Sequence, residues 1–222
     1  MIHGVLFDFS GTLFHFEPDV DGQPFDRALL IDTLTSPTTP TRFLPPELLA
    51  DWERRDLDPD LHRSVYLTAM RAAHPDVPQE TLVWAYELVP QARSWLPYPD
   101  TVSVLKGLRA AGLPVAVVSN IPWDVRGVFA RYGVADLVDE YVLSYAEGVM
   151  KPDPKIFLAA CERIGVAPER ALMIGDSVEA DGGATAVGCR FAMVERVPPG
   201  DRPRALVDGL AASGVPTTGY EQ

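Results

Sequence analysis

Lysine is nearly missing from this chain: there are three among 222 residues, and none lies between positions 16 and 98. Arginine does not make up the deficit, and the net charge is −12. That charge argues against a nucleic-acid binder or a protein of anionic membrane surfaces, since either partner would repel it. Cysteine is as scarce, with only Cys161 and Cys189. Neither has C-x-x-C spacing or a histidine nearby, which excludes an ordinary zinc site. Both read as reduced core residues of a cytoplasmic protein. No apolar run approaches the ~18 residues of a membrane span. The opening residues, Met1 to Asp8, lack the basic region of a signal peptide.

What is present is an ordinary globular composition, 47% apolar and 23% charged, long enough for one large domain or a core with a smaller companion. The acidity leaves a small phosphorylated molecule open as a substrate. One metal ion and one or two placed basic residues reverse the local field inside an acidic protein. A monomer or homodimer is expected.

Residues 2–8 form a short β-branched apolar run that ends in Asp8 and predicts a buried strand. From Gly112 onward strands and helices alternate. Strands are expected over 113–118, 141–143, 171–174 and 190–194. Helices are expected from Pro122 to about Tyr132, from Pro154 to Gly165 with Asp153 as N-cap, and over 178–187. Such alternation predicts an α/β fold with a parallel sheet covered on both faces. Sites in these folds lie beyond the carboxyl ends of the strands. Residues 16–98 break the rhythm. Prolines cluster at their ends, and helical patterns run near 25–34, 46–56, 60–73 and 79–89. They read as a helical insertion, which divides the chain into a core of 1–15 and 99–222 and an insert of 16–98.

Four short segments carry chemistry, each at a strand end or in a loop beyond one. Asp8 ends the first strand and is followed at once by Ser10, Gly11 and Thr12, so a carboxylate would meet a turn with exposed amides. Ser119 and Asn120 end a second strand before the helix expected at Pro122, a candidate anion site. Lys151 stands between prolines at a loop-to-helix junction, where a fixed ammonium could stabilise a phosphoryl group. Asp176 and Asp181 follow a buried strand, and carboxylates there suit Mg²⁺, a hard cation with oxygen ligands. Taken singly, each has a plainer account: a strand-closing aspartate, a Ser/Asn turn, a solvated lysine, a helix N-cap.

In this order and context, however, they resemble the four signature motifs of the haloacid-dehalogenase superfamily, across residues 1–15 and about 99–195. Segment 16–98 resembles the cap that many members insert after the first motif. The resemblance implies a Rossmann-like, doubly wound core and an aspartyl-phosphate formed on Asp8. It implies Mg²⁺ held by Asp8, Asp176 and the backbone carbonyl of Ser10, with Asp181 supporting them. Ser119 and Lys151 would bind the phosphoryl oxygens, helped by Gly11, Thr12 and Asn120. The substrate would be a small phosphorylated metabolite.

One position departs from the pattern. Phosphatases of the superfamily usually carry a second aspartate two residues after the nucleophile, as acid and base, and here that position is Ser10. General acid–base catalysis is worth ~10²–10⁴ in rate. Without a replacement the chain would favour aryl or acyl phosphates and release its phosphoenzyme slowly. His15 and Glu17 are the nearest candidates to fill the role. Superfamily phosphonate hydrolases use a cap lysine, which segment 16–98 lacks. The 2-haloacid dehalogenases need no Mg²⁺ but lack the Gly-Asp-Ser-x-x-x-Asp pattern of Gly175 to Asp181. Dehalogenation and non-catalytic binding of a phosphorylated ligand stay open beside the phosphatase reading. Cap residues Arg54, Arg55, His62, Arg63, Tyr66, Trp84 and Tyr86 are the candidates for choosing the substrate.

Overall fold

Strand β1 (Gly4–Phe7) is buried at every position and has a parallel neighbour on each side, so it must be apolar throughout. The computed structural model describes residues 1–36, 38–217 and 220. After β1 come β2 (Phe14–Phe16) and the helical insert: α1 (Arg27–Thr35), α2 (Leu49–Trp52), α3 (Pro59–Ala73) and α4 (Gln79–Tyr86). Strand β3 (Trp95–Pro97) brings the chain back by pairing antiparallel with β2. The rest alternates: α5 (Thr101–Ala110), β4 (Val115–Ser119), α6 (Arg126–Arg131), β5 (Glu140–Leu143), α7 (Ser144–Glu147), α8 (Pro154–Arg163), β6 (Ala171–Gly175), β7 (Arg190–Met193) and α9 (Ala205–Ala212).

The five main strands are parallel in the order β5-β4-β1-β6-β7. Alternation along each strand splits the core into two layers. Val5, Phe7, Val117 and Ile174 pack on one face with Leu105 of α5 and Leu206 of α9. Leu6, Val118 and Met173 pack on the other with Ile156 and Phe157 of α8. The fold is therefore the expected α/β sheet with helices on both faces and a helical insert after β1. The first layer continues into the insert through Leu30, Met70 and Leu82. Among the described residues no helix is long and apolar enough to cross a membrane. Cys161 and Cys189 are buried and free, their sulfurs 3.8 Å apart.

Several expected elements are corrected. The helix placed at Pro122 begins at Arg126, because Asp124 Oδ1 accepts the Arg126 amide at 2.9 Å and sets its first turn there. The helix placed over 178–187 is a 3₁₀ segment, Asp181–Val187. Asp181 is tied back to Ser177 through both its amide and its side chain. Gly182 and Gly183, poor helix formers, follow it. The helix placed over 46–56 is broken into Pro46–Leu48, α2 and Arg55–Leu57. The helix over 79–89 stops at Tyr86. Asp153 and Pro154 do open α8, with Asp153 accepting the Lys155 amide at 2.9 Å.

Besides the shared apolar layer, one fully buried hydroxyl ties the insert to the strand ends. Ser144 Oγ donates to the Asp56 carbonyl at 2.6 Å and accepts the Ile121 amide at 2.9 Å. Ser144→Ala leaves both groups without this partner, and a buried polar group left unpaired costs about 1–3 kcal/mol. Urea denaturation should show a loss in that range, with faster amide exchange at residues 55–58. Unchanged exchange there would mean that the hydroxyl does not hold the insert.

Candidate active site

Parallel pairing sets the site. Phe7 is in register with Val117 on one side and Ile174 on the other, and the Asp8 amide donates to the Ile174 carbonyl at 3.0 Å. The ends of β4, β1 and β6 therefore lie side by side and present Ser119, Asp8 and Asp176 together. Asp8 and Ser119 are buried. Ser119 Oγ donates to Asp8 Oδ1 at 3.2 Å, and Thr12 Oγ1 stands 3.4 Å from Asp8 Oδ2.

Lys151 is the buried cation at the centre. Its Nζ donates to Asp8 Oδ1 at 2.7 Å, Asp181 Oδ1 at 2.6 Å and the Val118 carbonyl at 2.8 Å, which uses all three protons. Burial alone would lower its pKa, but the Asp181 and Asp8 carboxylates beside it hold it above the ordinary lysine value. Burial pushes Asp181 up to about 6 while Lys151 pulls it back, so the pair is ionised at neutral pH. Asn120 positions the lysine. Its side-chain amide donates to the Lys151 carbonyl at 2.9 Å and accepts the Lys151 amide at 2.7 Å. Both polar ends of Asn120 are thus spent on Lys151. The helix N-terminus expected to join Ser119 and Asn120 in an anion site starts only at Arg126.

Two arginines beyond β7, which sequence reasoning missed, hold the turn after β1. Arg196 donates through Nε to Asp176 Oδ2 at 2.6 Å and through Nη2 to the Ser10 carbonyl at 3.1 Å, and Nη1 reaches the Thr35 carbonyl at the end of α1. Arg202 donates to the carbonyls of Gly11 and Thr12 at 2.7 and 2.8 Å and lies over the Tyr98 ring. Burial raises the Asp176 carboxyl above its usual value, Arg196 opposes this, and Asp8 adds to it. No motif announces either arginine. The only hint is that basic residues are few and that these two follow the last strand of the sheet.

Asp8, Asp176 and Asp181 each bring a carboxylate oxygen within 4.8 Å of the others. Such an all-oxygen cluster could hold a hard cation. The backbone leaves the room it needs. Gly11 has φ +84°, and a Cβ there would overlap Asp176 Oδ2 and Arg196 Nε. At Gly175 a Cβ would overlap Asp181.

The cluster opens into a cavity of about 480 Å³ between sheet and insert. From the core it is lined by Asp8, Ser10, Ser119, Lys151, Asp176 and Arg196, and from the insert by Arg55, Asp56, His62 and Tyr66. Of the cap candidates, then, Arg55, His62 and Tyr66 face it. Tyr86 is buried behind, its hydroxyl 2.8 Å from His62 Nδ1. Arg54 pairs with Asp51 and Arg63 with Glu87 at the surface, and Trp84 is exposed. His15 and Glu17 are not on this cavity. They line a second one of about 420 Å³ that shares only Ser10, Thr35 and Arg196 with the first. Neither lines the cavity that holds Asp8, so the structure does not bring either to the place of the missing acid.

Lys151→Met tests this charge balance. It strands two buried carboxylates, and breaking a buried ion pair from one side costs about 3–5 kcal/mol. A loss of that size is expected in urea denaturation at neutral pH. A loss below about 1 kcal/mol would mean that water screens the pair as it does at a surface.

Comparison with known proteins agrees with this geometry. A family model for haloacid dehalogenase-like hydrolases matches residues 2–188. A phosphoglycolate phosphatase of Cereibacter sphaeroides is 30% identical over 204 residues, covering 86% of this chain and 84% of that protein. A glyceraldehyde 3-phosphate phosphatase of Methanopyrus kandleri is 40% identical over 86 residues, 38% of this chain and 37% of that protein, so the match spans well under half its length. The structure of L-2-haloacid dehalogenase from Xanthobacter autotrophicus with chloropropionic acid covalently bound superposes with a TM-score of 0.60 at 25% identity, over 94% of this chain and 84% of that one. With its aspartate, serine, lysine and paired aspartates gathered at the ends of a parallel sheet under a helical insert, the chain belongs to the haloacid dehalogenase-like hydrolases.

Proposed function

We propose that this hydrolase is a Mg²⁺-assisted phosphatase of small phosphorylated metabolites, with Asp8 as nucleophile. The observation that carries the reading is the meeting of Asp8, Asp176 and Asp181 around one point, beside a lysine already bound to two of them. Displacement of a halide needs no cation at that point, whereas phosphoryl transfer depends on neutralising the phosphoryl oxygens. Asp8, Asp176 and the Ser10 carbonyl would hold Mg²⁺, which supplies that neutralisation when bound. Among the described residues, Asp8 Oδ2 has only the 3.4 Å hydrogen-bond contact from Thr12, which leaves it the freer oxygen for attack on phosphorus. Lys151 and Ser119 would face the phosphoryl oxygens from the other side. Asn120 keeps Lys151 in place, and a cavity of about 480 Å³ suits a metabolite rather than a polymer.

A second reading has its own support. Arg196 sits on the Ser10 carbonyl and Asp176, so a side-chain cation already satisfies two of the oxygens that Mg²⁺ would need. A metal-independent dehalogenase could work with that arrangement. The similarity to L-2-haloacid dehalogenase at 25% identity points the same way.

A panel of phosphate esters and 2-haloacids, each with and without Mg²⁺, separates the two. Metal-dependent phosphate release is expected, while metal-independent halide release would favour the second reading. Binding of a phosphorylated ligand without turnover would favour a non-catalytic role. Asp8→Asn should cut phosphate release by roughly a thousandfold or more with the fold intact, since losing a nucleophile costs several powers of ten. A variant keeping a tenth of the rate would not have lost its nucleophile. Arg196→Gln removes a cation from the metal's oxygens. The Mg²⁺ concentration that half-raises the melting temperature should fall about tenfold, a change of about 1.4 kcal/mol in affinity. A rise would make Arg196 a support of the metal site instead.

A further inference from the structure

The proposed chemistry needs a proton donor, and Ser10 cannot be one near neutral pH. We infer that Asp56, carried by the helical insert, is the general acid and base of this site in place of the aspartate missing at Ser10. The inference rests on the phosphatase reading above.

Asp56 is buried and lines the same cavity as Asp8 and Ser10. Its backbone is fixed to the core, since its carbonyl accepts from Ser144 Oγ, and that oxygen accepts the amide of Ile121, the residue after Asn120. The carboxyl is therefore held at the rim of the strand ends rather than on a swinging surface loop. Its surroundings are those of an acid that changes state. Oδ2 stands 3.2 Å from Arg55 Nη2, and Oδ1 stands 3.7 Å from His62 Nε2. Burial pushes the carboxyl up to about 6, while Arg55 and then Lys151 pull it down. Burial also drives His62 well below its usual value, so this imidazole is neutral and does not lock Asp56 as a carboxylate. Tyr66 of α3 and Tyr86 of α4 are further titratable groups on the insert side that interact with Asp56, both phenols kept protonated by burial. On α7, which carries Ser144, Glu147 is engaged by Arg163 at 2.7 Å. A carboxyl that titrates near neutrality can serve both as acid and as base.

The steps balance as follows. Asp8 attacks phosphorus, the ester P–O bond breaks, and the leaving oxygen takes the proton of the Asp56 carboxyl. In the second half the Asp56 carboxylate accepts a proton from water as that water attacks phosphorus. The P–O bond to Asp8 breaks, inorganic phosphate leaves, and both carboxyl groups are restored.

The test compares glycerol phosphate, whose alkoxide needs a proton to leave, with 4-nitrophenyl phosphate, whose phenolate does not. In Asp56→Asn, kcat/KM for glycerol phosphate should fall about a hundredfold or more. The first turnover of 4-nitrophenyl phosphate should change less than about threefold. Its steady turnover should slow, leaving a burst of nitrophenol and a hydroxylamine-cleavable adduct on Asp8. Adding Ser10→Asp to Asp56→Asn should restore turnover of the alkyl ester. If Asp56→Asn does not fold, wild type still decides. Its kcat/KM for glycerol phosphate should decline as pH rises through the Asp56 pKa, because the acid must be protonated, and its first turnover of 4-nitrophenyl phosphate should not. Equal losses on the two esters, or parallel pH profiles, would make Asp56 a structural residue and overturn this inference alone. A wild type that hydrolyses neither ester overturns the phosphatase reading and this inference together.

Discussion

One buried ammonium organises the ends of the central strands. Lys151 bonds to the nucleophile candidate just beyond β1, to the Val118 carbonyl near the end of β4, and to Asp181 beyond β6. Without a cation there, the three carboxylates gathered in this low-dielectric pocket could not all stay ionised. The neighbouring backbone has been shaped to that end. Asn120 spends its whole side chain on the Lys151 peptide. Gly175 has no side chain because Asp181 lies against it. Asp181 in turn receives the Ser177 amide at 2.9 Å, which fixes the turn that carries Asp176. A chain so poor in lysine has placed one of its three where a single positive charge has the greatest effect.

Arg196 supplies the second positive charge, and it differs from Lys151 in two respects. It comes from a loop rather than from a junction locked by α8, and it reaches out of the core to Thr35 of the insert. Three carboxylates against Lys151 and Arg196 leave one negative charge uncompensated. A divalent ion added beside both cations would make the site net positive, whereas one that replaced Arg196 would leave it neutral. For a divalent ion bound here, the balance would favour exchange with Arg196 over coexistence. It would also tie any cation held by these carboxylates to the α1 end of the insert, which Arg196 reaches through the Thr35 carbonyl.

The sheet was legible because its signal is local. Buried parallel strands need short apolar runs, and β1, β4 and β6 are uninterrupted ones. The residues at their ends, Asp8, Ser119 and Asp176, were legible for the same reason, since strand order in such folds brings those ends together. Elements whose limits depend on side-chain bonds were not. Asp124 moves the start of α6, and Asp181 converts an expected helix into a 3₁₀ turn. The β2–β3 pair was missed, for three-residue strands carry too little pattern to read. Arg196, Arg202 and Asp56 were missed for a further reason. Each acts on a partner distant in sequence, and nothing in the residues around it marks the distant carbonyl or cavity it meets.

That Asp56 sits on the insert changes what closing the cavity can do. An acid two residues from the nucleophile is present whether the site is open or shut. As the proposed acid, Asp56 would reach the site only with the insert seated against the strand ends, where Ser144 Oγ donates to the Asp56 carbonyl. On that proposal, departure of the leaving group would need the insert in this position. With the insert away, the phosphoenzyme on Asp8 would meet bulk water but have no base beside it, and Ser10 offers none. Both proposed half-reactions would thus depend on the same placement of the insert. In this arrangement a serine after the nucleophile is no defect.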